Sequence, residues 1–200
     1  MKRMAKIIHY PQAFLFDLDG VLLDTEQLHS QAWALTSESF GEILDKDKLL
    51  LLRGRRRTDC LNLISKWLNH KKNTNEIEKV HQPISRNLLK DAKAMPGAED
   101  LIKWCLDNNF PMAIVTSSSL ESFRIKSSPH YWISIIKTKV LGDDPSLEKG
   151  KPYPDPFILA AKKLGVDPKE CWAIEDSKSG AISAIKAGCK VWILKDERDN

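Results

Sequence analysis

Two aspartates two residues apart, Asp17 and Asp19, close an apolar run from Ala13 to Phe16 and are followed at once by Gly20. If that run is a strand, side chains two apart project to the same side, so both carboxylates face one space. Held close they repel, and a bound cation or a proton must relieve them. That is the chemistry of a carboxylate nucleophile or of a divalent-cation site. An EF-hand loop also opens D-x-D, but it needs a third ligand before its glycine and a glutamate at the twelfth position. Gly20 directly after Asp19 excludes it. A solvated turn stays open as the plain alternative for this segment alone.

The elements that would position such acids are legible as apolar runs: Ala13 to Phe16, Met112 to Val115, Ile133 to Leu141 less cleanly, Trp172 to Ile174 and Val191 to Leu194. They read as buried strands. Helical spacing fills 97–108, 120–126, 155–164 and 178–187, and for the third of these Asp155 is the expected N-cap, with Pro156 in the first turn and Gly165 past the end. Strand and helix in alternation imply an α/β fold with a parallel sheet and right-handed crossovers. Ligands collect at the carboxyl ends of such strands, which is where Asp17 and Asp19 fall. Residues 28–92 break the alternation with helical spacing, as at Cys60, Leu61, Ile64, Trp67 and Leu68, and Pro96-Gly97 marks the return. The expected organisation is a core of 1–27 and 93–200 with a helical cap, 28–92, inserted after the first strand.

Bulk properties narrow the function. The chain has 200 residues, 42% hydrophobic and 29% charged, with 31 basic against 27 acidic side chains. This is an ordinary globular composition whose mild positive excess suits an anionic substrate and falls short of a nucleic-acid-coating surface. Cys60, Cys105, Cys171 and Cys189 form no C-x-x-C pair, and His9, His29, His70, His81 and His130 no H-E-x-x-H arrangement, so reduced core thiols are expected. Lys2, Arg3 and Lys6 are followed by His9, Tyr10 and Pro11 where a signal peptide needs an apolar run, and no stretch approaches the ~20 apolar residues of a membrane span. A cytoplasmic monomer without membrane or nucleic-acid partners is the expectation.

The run D-x-D-G-V-L-L-D-T-E from Asp17 to Glu26 resembles the first motif of the haloacid dehalogenase superfamily of phosphatases and phosphomutases. Three more segments resemble its later motifs in order: Val115-Thr116-Ser117-Ser118, Gly150-Lys151-Pro152, and Glu175-Asp176-Ser177. The resemblance covers essentially the whole chain and implies a Rossmann-like parallel sheet core with an inserted helical cap. It also implies Mg2+, held by the Asp17 and Asp176 carboxylates and the Asp19 backbone carbonyl, and a small phosphorylated metabolite as partner. Asp17 would be the nucleophile, Asp19 the general acid and base, and Lys151 a fixed positive charge. Thr116, with Ser117 and Ser118, would bind the transferring oxygens, and Glu175 would orient Lys151 or the metal shell. The plain alternatives are a surface lysine, a strand-end hydroxyl cap, and Asp176 as a helix N-cap.

Within the cap, Arg53-Gly54-x-x-Arg57-x-Asp59, preceded by Asp24-Thr25, His29 and Trp33, resembles the β-phosphoglucomutase branch, which implies Arg57 and Gly54 against a second phosphate and His29 beside the acid. A solvated helix start and a packed cap base are the alternatives. The core loops 116–123 and 142–155 resemble instead the branch of pseudouridine-phosphatases and glycerol-phosphate phosphatases. Hydrolysis is therefore the expected activity, phosphate transfer within a sugar the alternative, and a non-catalytic phospho-ligand binder a third, against which the retained acids and lysine argue. The sequence ends at Asp199-Asn200, soon after the fifth strand, so an exposed sheet edge is expected.

Overall fold

The computed structural model describes residues 10–69 and 71–194; the N-terminal residues read for a signal peptide, His70 and the terminal Asp199-Asn200 lie outside the described residues. β1 (Ala13–Phe16) and the short β2 (Leu23–Asp24) lead into four helices, α1 (Glu26–Glu38), α2 (Lys46–Leu52), α3 (Arg57–Trp67) and α4 (Thr74–Leu89). After β3 (Lys93–Ala94) come α5 (Ala98–Asp107), β4 (Met112–Val115), α6 (Leu120–Ser127) and β5 (Thr138–Val140). The chain closes with α7 (Asp155–Leu164), β6 (Cys171–Glu175), α8 (Lys178–Ala187) and β7 (Lys190–Ile193).

Five of these strands make one parallel sheet in the order β5-β4-β1-β6-β7. β1 is central, with Phe16 beside Ile114 on one side and Ile174 on the other. It is buried on both faces, which explains an unbroken apolar run. Phe14 and Phe16 point into one core with Ile102 and Trp132, while Ala13 and Leu15 point into the other with Phe157, Ala160 and Ala184. Two helical layers thus clamp the sheet, and its strand ends are the surface left for chemistry.

β2 and β3 pair antiparallel, Leu23 beside Ala94, and the four helices lie between them in the chain. Those helices have a separate core of Trp33, Leu52, Leu61, Ile64 and Ile77. α4 is fixed at its start by a capping box, in which Asn73 accepts from the Glu76 N–H and Glu76 accepts from the Asn73 N–H.

Two expectations are corrected. Ile133 to Leu141 is not one strand: Tyr131–Ile135 is a 3-10 turn, and β5 begins only at Thr138. Trp132, Ile133 and Ile136 are all buried, a spacing that extended chain would send to opposite faces. Asp155 is the first helical residue of α7 and not its N-cap; Pro154 holds that place, and no side chain caps the turn. Gly165 ends α7 with φ 72°, as expected. The four cysteines are free and buried. Among the described residues β7 is one of the two edges of the sheet, with Trp192 and Ile193 about half accessible.

Candidate active site

The acids meet because three neighbouring strands end together. Asp17 follows β1 and still donates its N–H to the Ile174 carbonyl of β6 (3.0 Å). Thr116 follows β4, Glu175 ends β6 and Asp176 follows it. Gly20 turns the chain sharply after Asp19 with φ 74°, and a Cβ there would collide with the Asp176 carboxylate, so only glycine lets the two loops approach. Ser177, not Asp176, caps α8, accepting from the Gly180 N–H at 3.0 Å. That leaves the Asp176 carboxylate to the site.

Lys151, on the loop before α7, is the hub. It is 2% exposed, donates to Glu175 Oε1 (2.5 Å) and to the Val115 carbonyl (2.9 Å), and lies 3.0 Å from Asp17 Oδ1. The Asp17 approach is an ion pair outside hydrogen-bonding alignment, for Asp17 Oδ1 and Asp176 Oδ1 are both buried without a hydrogen-bond partner. Burial opposes charge on Lys151, but Asp17 and Glu175 outweigh it and raise its pKa. Burial, then the Asp17 charge, pushes Glu175 up to about 8 and Asp176 up to about 7. Burial likewise raises Asp17. One oxygen from each of Asp17, Glu175 and Asp176 lies within 4.8 Å of the others. Orphaned, hard oxygen donors crowded at this spacing fit a divalent cation such as Mg2+.

Asp19 is differently placed. The side chain expected to be free for proton transfer is gripped by Lys126 (Nζ to Oδ2, 2.5 Å), by the Thr25 hydroxyl, by Ser118 Oγ (3.0 Å), by His29 Nε2 (3.2 Å) and by Thr116 Oγ1 (3.4 Å). Burial disfavours its charge, yet Lys126 and then His29 outweigh burial and hold the carboxyl well below the usual range. Lys126 has no exposed surface and also donates to Ser118 Oγ at 2.6 Å. The sequence reading missed its role. The available signal is its position three residues after Phe123, on the buried face of α6.

The α1–α4 segment closes over this floor. Gly54 accepts from Ser117 Oγ (2.9 Å) and packs so tightly on Ser177 that a Cβ would collide with it. Arg57 donates to Ser119 Oγ at 2.7 Å, with Glu78 at 3.8 Å. The arginine that reaches the acids is Arg53, 2.8 Å from Asp176 Oδ2 and 3.0 Å from Glu26 Oε2, a contact not foreseen. Burial and then Asp176 raise Glu26 well above the usual range. Asp17, Asp19, His29, Gly54, Arg57, Ser117 and Ser118 therefore line one cleft, open in part to solvent, that reaches His81, while Thr116, Lys151 and Asp176 touch its residues and Glu175 pairs with Lys151.

Fold and site together define an α/β protein with a cation-ready acidic centre at its strand ends. A family model described as haloacid dehalogenase-like hydrolase matches residues 14–194, and the chain belongs to that family. It is 30% identical to a "Probable pseudouridine-5'-phosphatase" of Drosophila melanogaster, over 98% of this chain and 85% of that protein. It is 28% identical to (DL)-glycerol-3-phosphatase 2 of Arabidopsis thaliana, over 92% of this chain and 79% of that one. The solved structure of a β-phosphoglucomutase from Clostridium difficile superposes with a TM-score of 0.82 at 22% identity, covering 94% of this chain and 86% of the other, a likeness of fold. The enzyme class is that of the family's phosphatases and phosphomutases. No helix among the described residues is long and apolar enough to cross a membrane.

The raised acids make stability fall with pH. Between about pH 4 and about pH 8 the unfolded chain has released protons that folded Glu175 and Asp176 retain, so stability declines through that window. Asp19 acts in the opposite sense, but only below its unfolded value of about 4. Thermal melting in chelator is expected to drop from pH 5 to pH 8, and Mg2+ to remove most of the drop; parallel profiles with and without Mg2+ would contradict the cation site. Lys126→Met leaves the Asp19 charge with neutral and imidazole donors only. Because Asp19 keeps some solvent contact, a loss near the lower end of about 3–5 kcal/mol is expected in urea denaturation. An unchanged midpoint would mean the pair contributes nothing.

Proposed function

We propose that this chain is a Mg2+-dependent phosphatase that hydrolyses a small phosphorylated metabolite through an aspartyl phosphate on Asp17. The substrate would be a sugar phosphate, a nucleoside monophosphate or a polyol phosphate. The observation that carries the reading is the ion pair of Asp17 with Lys151 beside Asp176 Oδ1, which is buried without a hydrogen-bond partner, at one end of a cleft lined by hydroxyls and arginines. The similarity to a pseudouridine-5′-phosphatase and a glycerol-3-phosphatase supports hydrolysis of small phosphates.

In this reading Asp17 attacks phosphorus and the ester oxygen leaves; water then attacks the same phosphorus and Asp17 is regenerated. Mg2+, held by Asp17 and Asp176 with the Asp19 main-chain carbonyl, would supply positive charge to a carboxylate approaching a phosphate dianion. Lys151 adds a fixed charge, aligned by Glu175. The Thr116 hydroxyl, itself accepting from the Ser118 N–H, and the Ser117 N–H would bind the transferring oxygens. Asp19 gives a proton to the leaving oxygen and takes one from water. Its pairing with Lys126 favours the ionised form, which suits the second role, and the first requires that contact to loosen. Residues 28–92 act as the cap that excludes water and chooses the substrate. A cytoplasmic monomer is part of the same reading.

A phosphomutase is the second reading, favoured by one observation: Arg57 lines the same cleft as Asp17, held by Ser119, where its guanidinium would meet a second phosphate. Asp17→Asn is expected to cut Mg2+-dependent phosphate release by at least about 10^3-fold while the variant still melts cooperatively; undiminished release would remove Asp17 from the chemistry. For Arg57→Ala, a phosphatase of monophosphates predicts similar kcat/KM changes for sugar phosphates and for a small generic ester. A mutase predicts a selective loss, by about 10^2-fold, with bisphosphates and sugar phosphates. NMR of the sugar products separates release from isomerisation.

A further inference from the structure

His81, on α4, is among the most buried polar residues, at 3% exposure, and the mechanism above does not use it. Its ring lies flat on Trp33 of α1, with centroids 3.5 Å apart and planes 5° from parallel. One edge is tied to the same helix: Nδ1 is 3.1 Å from Thr36 Oγ1. The Thr36 hydroxyl is 2.7 Å from the Ala32 carbonyl, which only accepts, so its single proton is committed there. Thr36 Oγ1 must then accept from His81, and Nδ1 carries the ring proton. A neutral imidazole has one N–H, so Nε2 presents a lone pair.

The ring stays neutral, because burial, and after it the positive fields of His29 and Arg57, push its pKa down to about 3. His81 is therefore neutral across the physiological range, and its hydrogen-bond contacts among the described residues, Thr36 Oγ1 and the Ala32 main chain, both lie on α1. His81 is one of the residues lining the cleft that leads to Asp17, in the company of Ser85, Ser119, Ser122 and Arg57. Trp33, the large aromatic ring in that lining, is 6% exposed with a face already against His81, so a nucleobase finds no open platform for stacking.

We propose that His81 Nε2 accepts a hydrogen bond from a hydroxyl on the organic part of the substrate, making it a specificity residue for phosphates of small polyhydroxy compounds. This rests on the phosphatase reading of the Asp17 site and narrows it. The hydroxyl group is chosen over a carbonyl because a lone pair meets only donors, and over an apolar group because the neighbouring serines and Arg57 are polar.

The test compares His81→Asn with His81→Gln. The asparagine amide falls near the Nδ1 position and keeps a donor for Thr36, but places nothing at Nε2; the glutamine amide oxygen reaches the Nε2 position. With glycerol 3-phosphate and a pentose 5-phosphate, H81N is expected to lose about tenfold in kcat/KM, mostly in KM, and less than about twofold with n-propyl phosphate. H81Q should recover part of the loss. Equal losses on hydroxylated and plain esters, no loss on either, or tighter dependence for a nucleoside monophosphate than for glycerol 3-phosphate would overturn the proposal. If H81N does not fold, H81F, which retains the stack on Trp33, replaces it with the same expected discrimination. Calorimetric binding of glycerol 3-phosphate and n-propyl phosphate to wild type and variant is measured alongside. Absence of any phosphate release by the wild type would sink the phosphatase reading alone, and the binding comparison would still decide the role of His81.

Discussion

Charge crowding at the ends of β1 and β6 governs this molecule. Two unit charges 4 Å apart repel by about 4 kcal/mol at an effective dielectric near 20. Asp17, Glu175 and Asp176 bring three carboxylates within 4.8 Å, so full ionisation would set repulsion of that size in every pair against a total stability of about 5–15 kcal/mol. Lys151 relieves Asp17 and Glu175, and Arg53 relieves Asp176. The remainder is met by retained protons, which is what values of about 8 for Glu175 and about 7 for Asp176 mean. A centre so short of positive charge has the electrostatics needed to hold a divalent cation.

The same constraint links the two helical regions. Arg53 comes from the segment before α3 and ends on Asp176, while Gly54 seats that segment against Ser117 and Ser177. Arg57, one turn further on, faces the cleft and Ser119 instead. One short stretch thus supplies a counter-ion for the acids and a cation for whatever enters the cleft. Asp19 has its own partner, Lys126, carried by α6 of the core, so its ionisation does not depend on the position of α1–α4 alone.

The sheet and its acids were legible because each sits where an apolar run stops. Asp17, Thr116 and Asp176 follow runs that pair side by side, and Lys151 stands out between Gly150 and Pro152. What was not legible depends on tertiary packing. Lys126 ends a short polar helix and reads as solvated; its burial comes from how α6 packs behind Ser118. In the run from Arg53 to Arg57, composition gives no reason to prefer one arginine. The positive φ of 71° at Gly54 turns the chain between them and sends only Arg53 to the acids. The 131–135 turn was misread because Trp132, Ile133 and Ile136 are as apolar as a strand, and only their spacing separates the two forms.

In the proposed reaction phosphorus visits Asp17 before it reaches water. The stereochemistry at phosphorus distinguishes the two routes, using an ester made chiral with oxygen isotopes and hydrolysed in labelled water. Two successive in-line displacements, one by Asp17 and one by water, predict net retention of configuration. Net inversion would mean a single direct attack by water, and Asp17 would then be a ligand or a base and not the nucleophile.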